Sequence, residues 1–278
     1  MRTQSPDTPP EIEEVQLALL RKKSIPERMA LVQGLSATTI RLARQAIARN
    51  NPDKNEQELN LLFIKLYHNT SFSYKNSRFL GKKMTNVPDI ISVIKPVTNA
   101  FEELGIDYQI GGSIASSVYG VPRSTLDADL VADIRPKHIH LLVNKLESNY
   151  YIDELMIREA IKTSGSFNLV HYQSTMKIDV FIPKPRAYDK ESLQRRRQQP
   201  LDETKKRAKF YLVSPEDIIL NKLEWYRLGN ELSDRQWNDV LGVLKVQKDR
   251  LDIGYLQRWA LELGILDLLN QAFEDAGS

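Results

Sequence analysis

The chain has 278 residues, 41% apolar and 27% charged, with a net charge of +3. This is the composition of an ordinary soluble protein with one sizeable core and room for a smaller appended unit. The absence of cysteine excludes disulfides and thiolate metal sites. Four histidines (His68, His138, His140 and His171) form no His-x-x-x-His pair, so no zinc site is expected. No apolar run reaches membrane-span length, and the polar start is unlike a signal peptide, so the expected location is cytoplasmic, away from membrane.

Residues 1–10 are polar and proline-containing, and disorder is expected there. Ile12, Val15 and Leu19, widened by Leu17 and Leu20, predict a helix over 11–21. Ser24-x-x-Glu27 with Pro26 is a capping box that opens a second helix. Gly34-Leu35-Ser36 reads as a break in it, after which Ile40, Leu42, Ala43, Ala46 and Ile47 resume helical spacing up to Asn51-Pro52. Asn55-x-x-Glu58 caps a third helix through Leu59, Leu62, Phe63 and Leu66. These helices form an N-terminal unit, residues 1–78, expected to serve packing or partner binding rather than chemistry. A Ser-, Asn- and Lys-rich stretch without period ends in a linker at 79–86. A helix over 88–104 follows, kinked or split at Pro96 and closed by Gly105.

The centre of the chain is Tyr-Gln-Ile-Gly-Gly-Ser at 108–113, a short helical stretch to Gly120, then Pro122-Arg123-Ser124-Thr125 and a strand over 126–134. A period of two puts Asp127 and Asp129 on one face of that strand and Leu126, Ala128 and Leu130 on the other. Asp133 shares the parity of Asp129 but lies roughly 13 Å along an extended strand, too far for a shared metal. After a helix opened by Pro136 and an ambiguous segment at 154–163, residues 166–172 and 176–182 predict an antiparallel hairpin. In its second strand Met176, Ile178, Val180 and Ile182 share one face, and Lys177, Asp179 and Phe181 the other. An aspartate inside such a strand needs a metal or a charge partner, because burying a lone carboxylate is costly.

Residues 184–209 hold ten basic side chains, with Arg195, Arg196 and Arg197 consecutive, against four acidic ones, for a local charge of +6. That is either a phosphate-binding surface or a solvated one. Ser214-Pro215-Glu216-Asp217 is a strong helix start. Helices capped by Ser233 and Asp252, and a last one after Gly264, complete a C-terminal helical domain at 214–278, behind a central domain at 87–213.

Two carboxylates on one strand face and a third on a nearby strand suit a pair of Mg2+ ions, with Mn2+ a substitute. Asp127 and Asp129 would hold a metal–triphosphate. Asp179 would position the metal that activates the acceptor hydroxyl and take its proton. Gly111 and Gly112 would let backbone approach phosphate at a helix N-terminus, with the Ser113 hydroxyl beside it. Arg123 would meet a phosphate or tie the turn to the acidic strand. No Gly-Lys-Ser/Thr follows, which excludes a P-loop.

The combination Gly111-Gly112-Ser113, Arg123-x-Thr125-x-Asp127-x-Asp129 and a distant Lys-Ile-Asp179-Val-Phe resembles the nucleotidyltransferase superfamily of DNA polymerase beta-like fold. The tail, Ser-Pro-Glu-Asp … Lys222-Leu … Arg235 … Asp239-Val, resembles bacterial abortive-infection and toxin–antitoxin nucleotidyltransferases. The resemblance covers roughly residues 87–250 and implies an α/β (α+β) fold with a small mixed sheet flanked by helices. It implies nucleotide contacts for Gly111, Gly112, Ser113, Arg123, Thr125 and Lys222, metal binding and catalysis by Asp127, Asp129 and Asp179, and packing or site closure for Arg235 and Asp239. The simpler alternative for the last two is an i,i+4 pair on an exposed helix. The implied activity is transfer of a nucleoside monophosphate from a nucleoside triphosphate to a hydroxyl of RNA (tRNA) or protein, as a toxin or phage-defence component. A cognate antitoxin or other partner protein would dock through residues 11–68. The competing expectation is a catalytically idle nucleotide- or partner-binding member of the same fold.

Overall fold

The structure, a computed structural model, describes residues 2–4, 7–68, 89–203 and 208–277. The expected linker at 79–86, and Lys205, Lys206 and Arg207 of the basic segment, lie outside the described residues. In chain order the elements are α1 (Pro10–Lys22), α2 (Ile25–Arg49), α3 (Glu56–His68), α4 (Ile90–Glu103), β1 (Tyr108–Ile110), α5 (Gly112–Tyr119) and β2 (Asp127–Ala132). Then come α6 (Ile139–Leu146), β3 (Tyr150–Tyr151), α7 (Glu154–Thr163), β4 (Ser166–His171), β5 (Lys177–Phe181), α8 (Ala187–Gln194), β6 (Arg197–Pro200) and β7 (Lys209–Leu212). The chain ends in α9 (Pro215–Leu228), α10 (Asp234–Gln247), α11 (Ile253–Glu262) and α12 (Leu266–Ala276). The protein is thus mixed α/β, with both parallel and antiparallel strand pairs among the described residues. None of its described helices is long and apolar enough to cross a membrane.

Local chemistry accounts for most helix ends. Ser24 N–H donates to Glu27 (2.6 Å) and Glu27 N–H to the Ser24 hydroxyl, a closed capping box. Asn55 and Glu58 repeat the exchange at 2.9 and 3.1 Å. Asp89, Asp153, Ser214, Ser233 and Asp252 cap their helices with side-chain oxygens. At the end of α4, Gly105 takes φ +65° and Ile106 N–H returns to the Phe101 carbonyl at 2.8 Å.

Two local expectations give way to burial, and part of a third to hydrogen bonding. Gly34 does not break α2, which runs unbroken from Ile25 to Arg49. One glycine costs a helix about 0.5–1 kcal/mol, less than burying Met29, Val32 and Ile40 on one face returns. Pro96 stays inside α4, whose face of Ile90, Ile94, Val97 and Phe101 is buried. In the expected disordered start, Arg2 N–H donates to the Asp275 carbonyl (2.7 Å) and the Gln4 side chain to the Asn238 carbonyl (3.1 Å).

The described residues form two compact units, neither continuous in sequence. One comprises residues 1–32, 109–123 and 184–278. Its strands run β1-β7-β6, with β1 parallel and β6 antiparallel to β7, and its helical part is built on α9 to α12. In this unit α1 meets α10 through a buried ion pair between Glu13 and Lys245 at 3.1 Å. The other comprises residues 33–108 and 124–183, with strands in the order β3-β4-β5-β2. The predicted hairpin of β4 and β5 is antiparallel, and β2 lies parallel to β5. Ala128, Leu130, Ala132, Ile178 and Val180 are fully buried on one side of these strands, which leaves their alternate residues on the other.

Candidate active site

The alternation of β2 and its register with β5 assemble the carboxylates. Asp129 lies opposite Asp179, and Asp127 opposite Lys177. Registered neighbours in a sheet point to the same face about 4.8 Å apart, so Asp127, Asp129 and Asp179 share one face of two adjacent strands. Asn168 of β4, opposite Asp179 on its far side, shares that face too. No local signal in the sequence marks Asn168, because its relevance comes only from the register. Thr125 precedes the strand, and its hydroxyl donates to Asp127 Oδ1 at 2.9 Å and to the Asp127 carbonyl at 3.1 Å. Lys177 Nζ pairs with Asp179 Oδ2 at 2.7 Å. Burial pushes the Asp179 carboxyl up, Lys177 works against this, and the nearby charge of Asp127 adds to the rise. Asp133 stands apart, as the strand arithmetic predicts, and pairs with Arg135 at 2.8 Å.

The glycine motif belongs to the other unit. Gly111 precedes α5, and Gly112 has φ +51°, a left-handed conformation in which other residues are strained. Ser113 Oγ accepts from Arg123 Nη2 at 2.7 Å. Arg123 then grips Asp239 of α10 with two bonds, Nε to Oδ1 at 2.7 Å and Nη2 to Oδ2 at 2.8 Å. Lys222 Nζ of α9 reaches the same Oδ2 at 2.9 Å. The i,i+4 pairing of Arg235 with Asp239 is therefore not made: Arg235 is exposed, and Asp239 is 8% exposed between two other cations. Burial alone would push the Asp239 carboxyl up, but the Arg123 and Lys222 cations outweigh it and hold it below the usual carboxylate range.

The far end of α5 is fixed as firmly as its start. Arg28 Nη1 donates to the carbonyls of Val118 (2.8 Å) and Tyr119 (3.4 Å), and the Gln247 amide also donates to Tyr119. A cation at a helix C-terminus is favourable both as a hydrogen-bond donor and against the helix dipole. Beyond it Gly120 lies against the backbone of α10: a Cβ there would sit 2.7 Å from Gly242 C and Val243 N. Only glycine allows the approach that brings α10, with Asp239, to the residues after α5.

Four arginines of the basic segment, Arg186, Arg195, Arg196 and Arg197, have partners within the protein. Arg195 and Arg197 both reach Glu216, at 3.3 and 3.4 Å, and that carboxylate is 1% exposed. Arg186 forks onto Glu224 at 2.7 and 3.1 Å and holds Asp189 at 2.6 Å. Arg195 and Arg196 stack over Tyr255 and Tyr211.

Hard oxygen donors such as those of Asp127, Asp129 and Asp179 are the chemistry Mg2+ or Mn2+ takes. Among the described residues, no group of three or more His, Cys, Asp or Glu side chains is placed to hold a metal ion. The Lys177–Asp179 ion pair supplies a physical reason, since it turns one of the three carboxylates to a cation of the protein itself.

No protein-family model matches the chain, and no curated protein matches it. Among solved structures it is similar to an antigenic nucleotidyltransferase-like protein from Paracoccidioides brasiliensis, at 17% identity over 62% of this chain and 89% of that one, with a TM-score of 0.40.

Proposed function

We propose that the protein is a divalent-metal-dependent nucleotidyltransferase that moves a nucleoside monophosphate from a nucleoside triphosphate to an acceptor hydroxyl, releasing pyrophosphate. The observation that carries this reading is the register of β2 and β5, which aligns Asp129 with Asp179 on the face that also bears Asp127. Asp127 and Asp129 are the residues for the metal that accompanies the triphosphate, and Asp179 for the one at the acceptor. A bound pair of such ions neutralises phosphate charge and favours the ionised hydroxyl. Asp179, on the same face as Asp127 and Asp129, is also the carboxylate for the proton that the attacking hydroxyl loses, once it parts from Lys177. Thr125 holds the Asp127 carboxylate in orientation through its hydroxyl. Phosphate contacts fall to the α5 N-terminus, Ser113, Arg123 and Lys222, with Asp239 keeping the two cations side by side. Arg186, Arg195, Arg196 and Arg197 are engaged within the protein, and the acceptor class is a hydroxyl of RNA or of protein.

Incubation with each alpha-labelled nucleoside triphosphate, Mg2+, and total cellular RNA and protein should label one acceptor class. Asp127→Asn should remove the label while the far-UV circular dichroism spectrum stays that of the parent. Equal labelling by the variant would overturn the assignment. The Lys177–Asp179 pair favours a second reading, an idle nucleotide-binding protein in which Asp179 never leaves its lysine. Magnesium-dependent triphosphate binding without label transfer to any acceptor, in the parent and in Lys177→Met alike, is the outcome that selects it.

A further inference from the structure

Ser36 lies in the middle of α2, a position where serine is a poorer helix former than alanine, and it is 2% exposed. A buried hydroxyl there needs a partner, and it has one 89 positions along the chain: Thr125 N–H donates to Ser36 Oγ at 2.9 Å. Thr125 is itself 5% exposed and precedes β2, whose pairing with β5 begins only at Asp127, so its backbone donor has no strand partner there. The same residue's hydroxyl is the group that orients Asp127 Oδ1. The next residue, Leu126, packs against the buried cluster of Ile40, Ile47 and Phe63 contributed by α2 and α3. Ser174 and Thr175, in the turn that leads into β5 and Asp179, line one small cleft together with Ser36 and Thr125.

We propose that Ser36 is a positioning residue for Asp127, acting through Thr125, so that α2 belongs to the metal-binding apparatus rather than to a detached accessory module. The inference rests on the nucleotidyl-transfer reading and deepens it. Ser36 touches no substrate. It holds the backbone of the turn whose side chain sets one carboxylate, and Ile40 and Phe63 hold the following residue from the same side.

The test uses the full chain and Mn2+ as the probe, titrated and followed by the electron paramagnetic resonance signal of the free ion, with thermal melts alongside. Ser36→Ala and Thr125→Val should each weaken Mn2+ binding roughly tenfold. Thr125→Ser, which keeps the hydroxyl, should bind within about twofold of the parent. The double variant Ser36→Ala/Thr125→Val should bind no more weakly than the worse single, because both changes break one chain of contacts. Unchanged Mn2+ affinity in Ser36→Ala, even with a lowered melting temperature, gives Ser36 a purely structural role and overturns the proposal. Additive losses in the double variant overturn it too. Should Ser36→Ala fail to fold, Ser36→Cys, close in shape but a weak acceptor, reads the same shift, and parental affinity in it is equally fatal. A parent chain that binds no Mn2+, or an Asp127→Asn variant that binds as the parent does, overturns the transferase reading itself and this inference with it. Binding that depends on Asp127 but not on Ser36 removes only the inference.

Discussion

Replacing Asp239 by Asn removes one negative charge from a site where two cations converge. Asp239 accepts from Arg123 at 2.7 and 2.8 Å and from Lys222 at 2.9 Å, and Lys222 and Asp239 are 7% and 8% exposed. Breaking a buried ion pair by removing one partner costs about 3–5 kcal/mol, because the remaining charge stays buried and uncompensated. The Arg123 side chain is 24% exposed, so water recovers part of that charge and the lower end, about 3 kcal/mol, applies here. At 2–4 °C per kcal/mol for a domain of this size, the melting temperature should fall by roughly 6–12 °C. Lys222→Met should cost less, about 1–2 kcal/mol, because Asp239 keeps its two bonds to Arg123. Arg235→Ala, an exposed change, should stay within about 0.5 kcal/mol. Thermal melts and urea midpoints on the three variants measure this order. The carboxyl of Asp239 is held below its ordinary value, so its contribution is complete above the unfolded pKa of about 3.9 and is lost as the pH falls through the lower folded value. The gap between parent and Asn variant should therefore be full at neutral pH and close only below about pH 4. An Asn variant melting within 2 °C of the parent at pH 7, or an Arg235→Ala loss as large as that of Asp239→Asn, would refute the buried three-way pairing.

Gly120→Ala should destabilise by about 2–3 kcal/mol or prevent folding, because the new methyl meets backbone atoms of Gly242 and Val243 at 2.7 Å and neither can rotate away; a parental melting temperature would contradict that packing. Reversing both Arg195 and Arg197 to Glu sets two carboxylates against the buried Glu216, so the melting temperature should drop steeply. Were the double variant to melt like the parent while losing salt-dependent RNA retention, these arginines would be a nucleic-acid surface after all.

Much of the local structure is legible in the residues themselves. The capping pairs Ser24–Glu27 and Asn55–Glu58, the Ser214-Pro215 start and the alternation of 127–131 and 177–181 are all present as predicted. Each depends on contacts within a few positions, where spacing and side-chain type decide the geometry. The short strands β3 and β6 escape such reading, since Tyr-Tyr and Arg-Gln-Gln-Pro carry no apolar alternation and pair only because neighbouring strands are there to receive them. The unbroken courses of α2 and α4 past Gly34 and Pro96 likewise reflect burial outweighing propensity.

The sequence by itself determined the parity of the acidic strands: Asp127 and Asp129 share a face, and Asp133 lies too far along to join them. It could not determine the partners. That Asp129 stands beside Asp179, that Asp239 takes Arg123 116 positions away rather than Arg235 four positions away, and that Ser36 holds Thr125 were decided by tertiary structure alone. A strand's period is a property of its own backbone, whereas register and long-range pairing depend on which buried faces meet, and no local spacing encodes that.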